Sequence, residues 1–193
     1  MSAAAADTMR LFIASAFSAP LIGRVKELQA FAAPRLGRAV KWVEPENLHL
    51  TYAFLGEVSE ALAPAVARSV ERAAGRFEKL EVRLGGLGAF PSLERPRVLW
   101  LGLAEERPGA LKGLALKLSE ELAAEGFRFE QKFEPHVTIG RVKARLDPAP
   151  VGELLRKAAE PGGRSVIDSV AVVQSLLFSS GPSYKILASI PLL

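Results

Sequence analysis

Apolar positions recur along this chain in two periods, and the switches between them predict its elements. Residues 9–17 are almost wholly apolar over strand length and predict a buried first strand. Ser18 then precedes Leu21, Val25, Leu28 and Ala32 at helical spacing, so a helix follows. Leu48 to Leu55 reads as a strand stopped by Gly56, and Leu62, Val66, Val70, Ala73 and Phe77 as a second amphipathic helix. Strands are predicted over 80–90 and 97–103, flanking a loop rich in Pro and Arg at 91–96. Leu111, Leu114, Leu118 and Leu122 mark a third helix, with Gly126 placed to end it. Phe127, Phe129 and Phe133 lead into a strand-like run from Glu134 to Arg141. Asp147-Pro148 opens a fourth helix carrying Val151, Leu154, Leu155 and Ala158, which Pro161-Gly162-Gly163 ends. Val166 to Phe178 alternates, Ser179-Ser180-Gly181-Pro182 turns, and Tyr184 to Pro191 returns, the pattern of a hairpin. The predicted fold class is α+β with mainly antiparallel strands.

The order of elements echoes itself. His49 and His136 each lie in a strand that is followed by an amphipathic helix and then by further strands, and their separation (136 − 49 = 87) is a little under half the chain. This predicts two pseudo-symmetric lobes of antiparallel sheet with flanking helices around a central cleft, one His on each side. Residues 1–8 are expected to form a flexible N-terminal extension and residues 9–193 a single two-lobed domain.

Composition narrows the chemistry. A chain of 193 residues that is 49% hydrophobic can bury a sizeable core in one domain. The absence of Cys removes disulfide frameworks, thiolate metal sites and thiol nucleophiles. No run approaches the ~18 uncharged apolar residues that a membrane span requires. The apolar stretch Leu11 to Phe17 has one Arg before it and Asp7 beside it, a poor secretion signal, so the chain is expected to be cytoplasmic, and a monomer. A net charge of +4 suits a local anion site better than a broad nucleic-acid stripe.

The scarcest residues fall into one pattern. The only two His head His49-Leu50-Thr51-Tyr52 and His136-Val137-Thr138-Ile139, which hold two of the three Thr; the third is Thr8. On a strand, positions i and i+2 share a face, so each His points with its Thr while Leu50, Tyr52, Val137 and Ile139 point into the core. An imidazole and a hydroxyl roughly 7 Å apart can converge on one tetrahedral oxyanion. Imidazole titrates near neutrality, so a pair can serve as base and acid on a phosphodiester. A lone strand His is more often structural, but two in matched settings favour chemistry. Zinc would need further ligands that no spacing marks, and no Gly-x-Ser-x-Gly elbow or phosphate loop is present.

These motifs carry a resemblance. Arg10-Leu11-Phe12-Ile13-Ala14, Asn47 to Thr51 with Phe54-Leu55-Gly56, Pro96 to Trp100, Pro135 to Thr138 with Arg141, and Ser175 to Tyr184 occur in the order seen in the 2H phosphoesterases. Within them the chain is similar to the bacterial and archaeal RNA 2',3'-cyclic phosphodiesterases, also called 2'-5' RNA ligases. The resemblance implies a two-lobed fold and hydrolysis of a terminal 2',3'-cyclic phosphate to a 2'-phosphate, with 2'-5' ligation as its reversal and with no cofactor or metal. It implies His49 as proton donor to the departing O3', His136 as proton acceptor from water, and Thr51, Thr138 and Arg141 as phosphate ligands. The expected partner is an RNA end bearing a 2',3'-cyclic phosphate, tRNA halves included.

Two alternatives stay open: a phosphodiesterase for small cyclic nucleotides, and a nucleotide- or RNA-binding module of this fold without turnover. Strict alternation puts Arg141 on the face opposite His136, so it reaches a phosphate only if Gly140 breaks the pleat. Arg97 and Lys143 read as solvated charges. Trp42, Trp100 and Tyr184 read as core packing before base stacking.

Overall fold

Strand alternation and helical spacing yield nine strands and four α-helices in a computed structural model that describes residues 7–129, 132–178 and 181–193. In chain order they are β1 (Thr8–Ala16), α1 (Ala19–Leu36), β2 (Val40–Trp42), β3 (His49–Ser59), α2 (Ala63–Ala74), β4 (Leu80–Phe90) and β5 (Val98–Glu105). There follow α3 (Ala110–Ala124), β6 (His136–Val142), α4 (Pro148–Ala158), β7 (Arg164–Ile167), β8 (Ser169–Phe178) and β9 (Gly181–Pro191). All recorded strand pairings are antiparallel.

The strands form one sheet in the order β7-β4-β5-β6-β3-β1-β8-β9, with β2 also pairing with β6. The order is symmetric about the β6–β3 seam, where the ladder narrows to the single pair Leu50 and Val137. Four strands on each side of that seam make the two lobes. The lobes are not sequential halves, because the β8–β9 hairpin returns to the first lobe beside β1. Helices are exchanged as well: α1 packs against β7 and α4 of the second lobe, while α3 packs against β3 and α2 of the first. One contiguous core therefore spans both lobes, from Ile13 and Leu50 through Leu101, Leu114 and Ile139, all fully buried. Burying each such side chain contributes about 1.5–3 kcal/mol, so separating the lobes would forfeit a large share of the stability.

The structure departs from the expected boundaries in several places. The first strand opens at Thr8, which pairs with Ser59, and residues 1–6 of the expected extension lie outside the described residues. Gly56 does not stop β3: at φ +69° it sits in an irregular step opposite Leu11, and the strand runs on to Ser59. The second helix ends at Ala74, and Phe77 turns back so that its ring edge faces Gly113 of α3. The run 166–178 is two strands broken at Asp168, because β7 pairs with β4 and β8 with β1 in opposite lobes. Three residues, Val40 to Trp42, form a strand that their short polar-interrupted pattern does not signal. Of the predicted hairpin turn, Ser179 and Ser180 lie outside the described residues, while Gly181 and Pro182 are already strand, paired with Phe178 and Leu177, so β9 opens before the expected Tyr184.

Candidate active site

The seam pair sets the site. Leu50 and Val137 are directly opposite and both fully buried, so the residues on either side of them project from the other face of the sheet. Continuing the antiparallel register by one residue puts His49 on the side of Thr138 and Thr51 on the side of His136. Two imidazoles and two hydroxyls thus converge, each His facing the other motif's Thr. All four are half-buried.

Both imidazoles are held in the same way. His49 Nδ1–H donates to the Asn47 carbonyl at 2.7 Å and His136 Nδ1–H to the Glu134 carbonyl at 2.6 Å. With Nδ1 committed to the backbone two residues upstream, Nε2 is the free nitrogen of each ring. Aromatic rings set the ring planes. Phe12 and Tyr184 flank His49 at 5.1 and 5.3 Å, Tyr184 edge-on, and Phe90 and Trp100 flank His136 at 5.3 and 5.7 Å. Burial lowers the His49 pKa below the ordinary imidazole range, the charges of His136 and Arg141 lower it further, and the bond to Asn47 opposes them. Burial likewise raises the Tyr184 pKa, against the pull of Arg141.

Arg141 belongs to this face because the pleat breaks. Trp100 pairs with Thr138 and Leu99 with Gly140, so Ile139 is an extra residue in β6 and the alternation inverts after it. Gly140 then faces the core, where a Cβ would come within 2.7 Å of the Val40 side chain and 3.1 Å of the Trp42 ring. The next residue, Arg141, returns to the face of His136. The buried Gln29 amide of α1 holds the bulge by donating to the carbonyls of Ile139 at 3.0 Å and Val43 at 2.8 Å. The first motif has the same device. Ala14 pairs with Thr51 and Ile13 with Ala53, so Tyr52 is the extra residue, and its hydroxyl hydrogen-bonds Ser15 at 3.1 Å. That bulge turns Phe54 outward on to the site face, 68% exposed and 5.9 Å from the Phe12 ring.

The five residues singled out from the sequence are therefore on one face, with Arg141 close enough for its charge to act on His49. Arg97 and Lys143 are exposed, and Trp42 packs on the core. Trp100 and Tyr184 do not behave as plain core residues, since Trp100 stands beside His136 and Tyr184 beside His49. Trp100 lies flat on Gly88, where any Cβ would fall 2.2 Å from its ring, and its buried Nε1–H has no partner among the described residues. Phe54, Phe12, Gln29 and Gly88 escape the sequence reading. A superposition of His49-to-Phe54 on His136-to-Arg141 would expose Phe54, whereas the other three contribute through long-range packing that no local pattern marks. Among the described residues no group of three or more His, Asp or Glu is arranged to hold a metal, and no helix is long and apolar enough to cross a membrane.

The chain is similar to known proteins over most of its length. The sequence pattern of LigT-like phosphoesterases matches the chain twice, over residues 17–100 and 101–184, one His-x-Thr motif in each. The chain is 39% identical over 170 residues to an RNA 2',3'-cyclic phosphodiesterase of Aeropyrum pernix, covering 86% of this chain and 94% of that one. It is 40% identical over 179 residues to the one from Archaeoglobus fulgidus, covering 92% and 97%. Among solved structures, a Thermus thermophilus protein superposes with a TM-score of 0.76 at 30% identity, over 95% of this chain and 98% of that one. Escherichia coli LigT complexed with 3'-AMP superposes with a TM-score of 0.73 at 26% identity, over 96% and 99%.

Proposed function

Because this chain belongs to the LigT-like phosphoesterase family, we propose that it hydrolyses RNA 2',3'-cyclic phosphodiester ends to 2'-phosphomonoesters by general acid–base catalysis between His49 and His136. The observation that carries this reading is the Leu50–Val137 seam, which brings both His-x-Thr pairs on to one face in inverted order. A pseudo-twofold arrangement of this kind suits in-line displacement at phosphorus, with one imidazole on the entering oxygen and one on the leaving oxygen. Thr51 and Thr138 donate to the non-bridging oxygens, and Arg141 neutralises the charge that grows on them. His136 Nε2 takes the proton from water and His49 Nε2–H gives one to O3', leaving the phosphate on O2'. The exposed ring of Phe54 next to His49 offers the terminal base a stacking surface, a contact worth about 1–3 kcal/mol. The enzyme acts as a cytoplasmic monomer on RNA ends, tRNA halves among them, and joining to a 5'-hydroxyl reverses the cleavage of a 2'-5' linkage.

The decisive test incubates the purified protein, with EDTA, on an RNA oligonucleotide ending in a 2',3'-cyclic phosphate and locates the product phosphate. A 2'-phosphate formed at an unchanged rate is expected. A 3'-phosphate, no turnover, or loss of turnover with EDTA would overturn the assignment.

The lowered His49 pKa sets the expected pH dependence. An acid must enter the reaction protonated, and kcat/KM reports the free enzyme. Rising pH removes the His49 proton from a point already on the acid side of the ordinary imidazole range. Consequently kcat/KM should decline through neutrality, while kcat, measured with the anionic phosphate bound and favouring the imidazolium, holds to higher pH. Coincident alkaline limbs for the two parameters would contradict this.

A further inference from the structure

Beyond His136 the site face of the second lobe carries glycines where its neighbours carry side chains. Gly102 stands opposite His136, and Gly85 with Gly86 fills the register slip opposite Gly102. A Cβ at Gly86 would meet nothing within 4 Å, and one at Gly102 would meet its nearest atoms at 3.8 Å. The floor reaches two strand spacings from His136, roughly 10 Å. One wall is aromatic, made of Trp100 on Gly88 and of Phe90. The other carries two guanidiniums, Arg83 of β4 directly opposite Arg164 of β7, both exposed on this same face with the carboxylate of Glu81 two residues along β4. Neither guanidinium has an ion-pair or hydrogen-bond partner among the described residues. Like charges directly opposite on neighbouring strands repel, a cost that an anion between them would offset. The corresponding face of the first lobe is filled instead by Phe12, Phe54, Val173, Tyr184 and Ile186.

This asymmetry has a meaning for the reaction. With His49 on the leaving O3', the terminal nucleoside lies on the first lobe, and whatever lies beyond His136 belongs to the nucleophile. A water molecule needs no floor of that reach. We propose that the groove over Gly102, Gly85 and Gly86 is the binding subsite for a nucleophile with a body, the 5'-terminal nucleoside of a second RNA strand. Its base lies against Trp100 and Phe90 and its 3'-linked phosphate between Arg83 and Arg164. The 5'-oxygen bonds to phosphorus as the P–O3' bond breaks. His136 takes the 5'-hydroxyl proton and His49 supplies one to O3', giving a 2'-5' diester and a free 3'-hydroxyl with no other reactant. The subsite rests on the hydrolytic reading above, and its test keeps the two apart.

The enzyme is given an RNA with a 2',3'-cyclic end and increasing concentrations of a 5'-hydroxyl RNA oligonucleotide, and both the 2'-phosphate and the 2'-5' joined product are quantified. The joined share is expected to saturate with acceptor. Reversing both charges (Arg83→Glu with Arg164→Glu) should raise the half-saturating acceptor concentration at least ~10-fold and flatten its salt dependence, with hydrolysis within about twofold. Gly86→Leu, whose side chain enters open space, should depress joining in the same selective way while circular dichroism stays unchanged. Hydrolysis without any joined product, a joined share that rises without saturating, or variants that alter joining and hydrolysis in parallel would each overturn the subsite. Absence of hydrolysis in the wild type would instead overturn the proposed function.

Discussion

Replacing His136 by Ala is expected to lower the single-turnover rate of cyclic-phosphate hydrolysis by about 10²–10⁴-fold, the range that one positioned acid or base supplies. The fold should survive. β6 is anchored by Val137 and Ile139, both fully buried, and His136 itself is half-buried with its one recorded hydrogen bond to a loop carbonyl. His49→Ala should cost as much in rate but more in melting temperature, because Phe12 and Tyr184 pack on its ring. The double variant should be little slower than either single one, since the two groups act as a unit. A substrate with sulfur at the 3' position separates the roles. A departing thiolate needs no proton, so it should rescue His49→Ala and leave His136→Ala slow. Rescue of His136→Ala instead would exchange the acid and base assignments.

Arg141→Ala is expected to cost about 10²–10³-fold in kcat, the loss seen when a donor to developing oxyanion charge is removed. Arg141→Lys should recover only part of this, because an ammonium cannot present the two parallel donors of a guanidinium. Two causes place this residue, the extra residue Ile139 and the Gln29 amide that donates to its carbonyl. Gln29→Leu, which contacts no substrate, should therefore lower kcat in the same direction, by less, and with a loss of stability. Measuring kcat, KM and the melting curve of all three variants checks this. A Gln29→Leu enzyme with normal kcat would show that the bulge holds without the amide, and an Arg141→Ala enzyme within threefold of wild type would remove Arg141 from the charge-stabilising role.

Much of the site is legible one strand at a time. Alternation alone tells that His49 points with Thr51, and His136 with Thr138, away from the buried residues between them, because side-chain parity on a strand is a local property. The four helices are legible for the same reason, as are most of the positions that bury them, Leu62 and Phe77 falling outside α2, and so is the α+β class. The inversion of parity after each motif Thr is not. Gly140 marks a possible break, but Tyr52 and Ile139 look like ordinary inward strand residues, and only the ladders to β1 and β5 show that each is one residue too many.

Register decides the rest. Nothing in either tetrapeptide says that Leu50 meets Val137, a pairing across 137 − 50 = 87 positions, or that this inverts the order of His and Thr between strands. The pairing follows from how the exchanged helices α1 and α3 bury both lobes in one core, an energy summed over the whole molecule. The asymmetry between lobes has the same origin: Phe54 and Arg141 occupy like positions after their motifs, and the glycines beside His136 become a groove floor only when β4 and β5 align. Sequence by itself determined which groups could do the chemistry and which way each faces on its own strand. Tertiary structure decided which of them meet, because facing is set by neighbours in the chain and meeting is set by contacts between residues far apart in it.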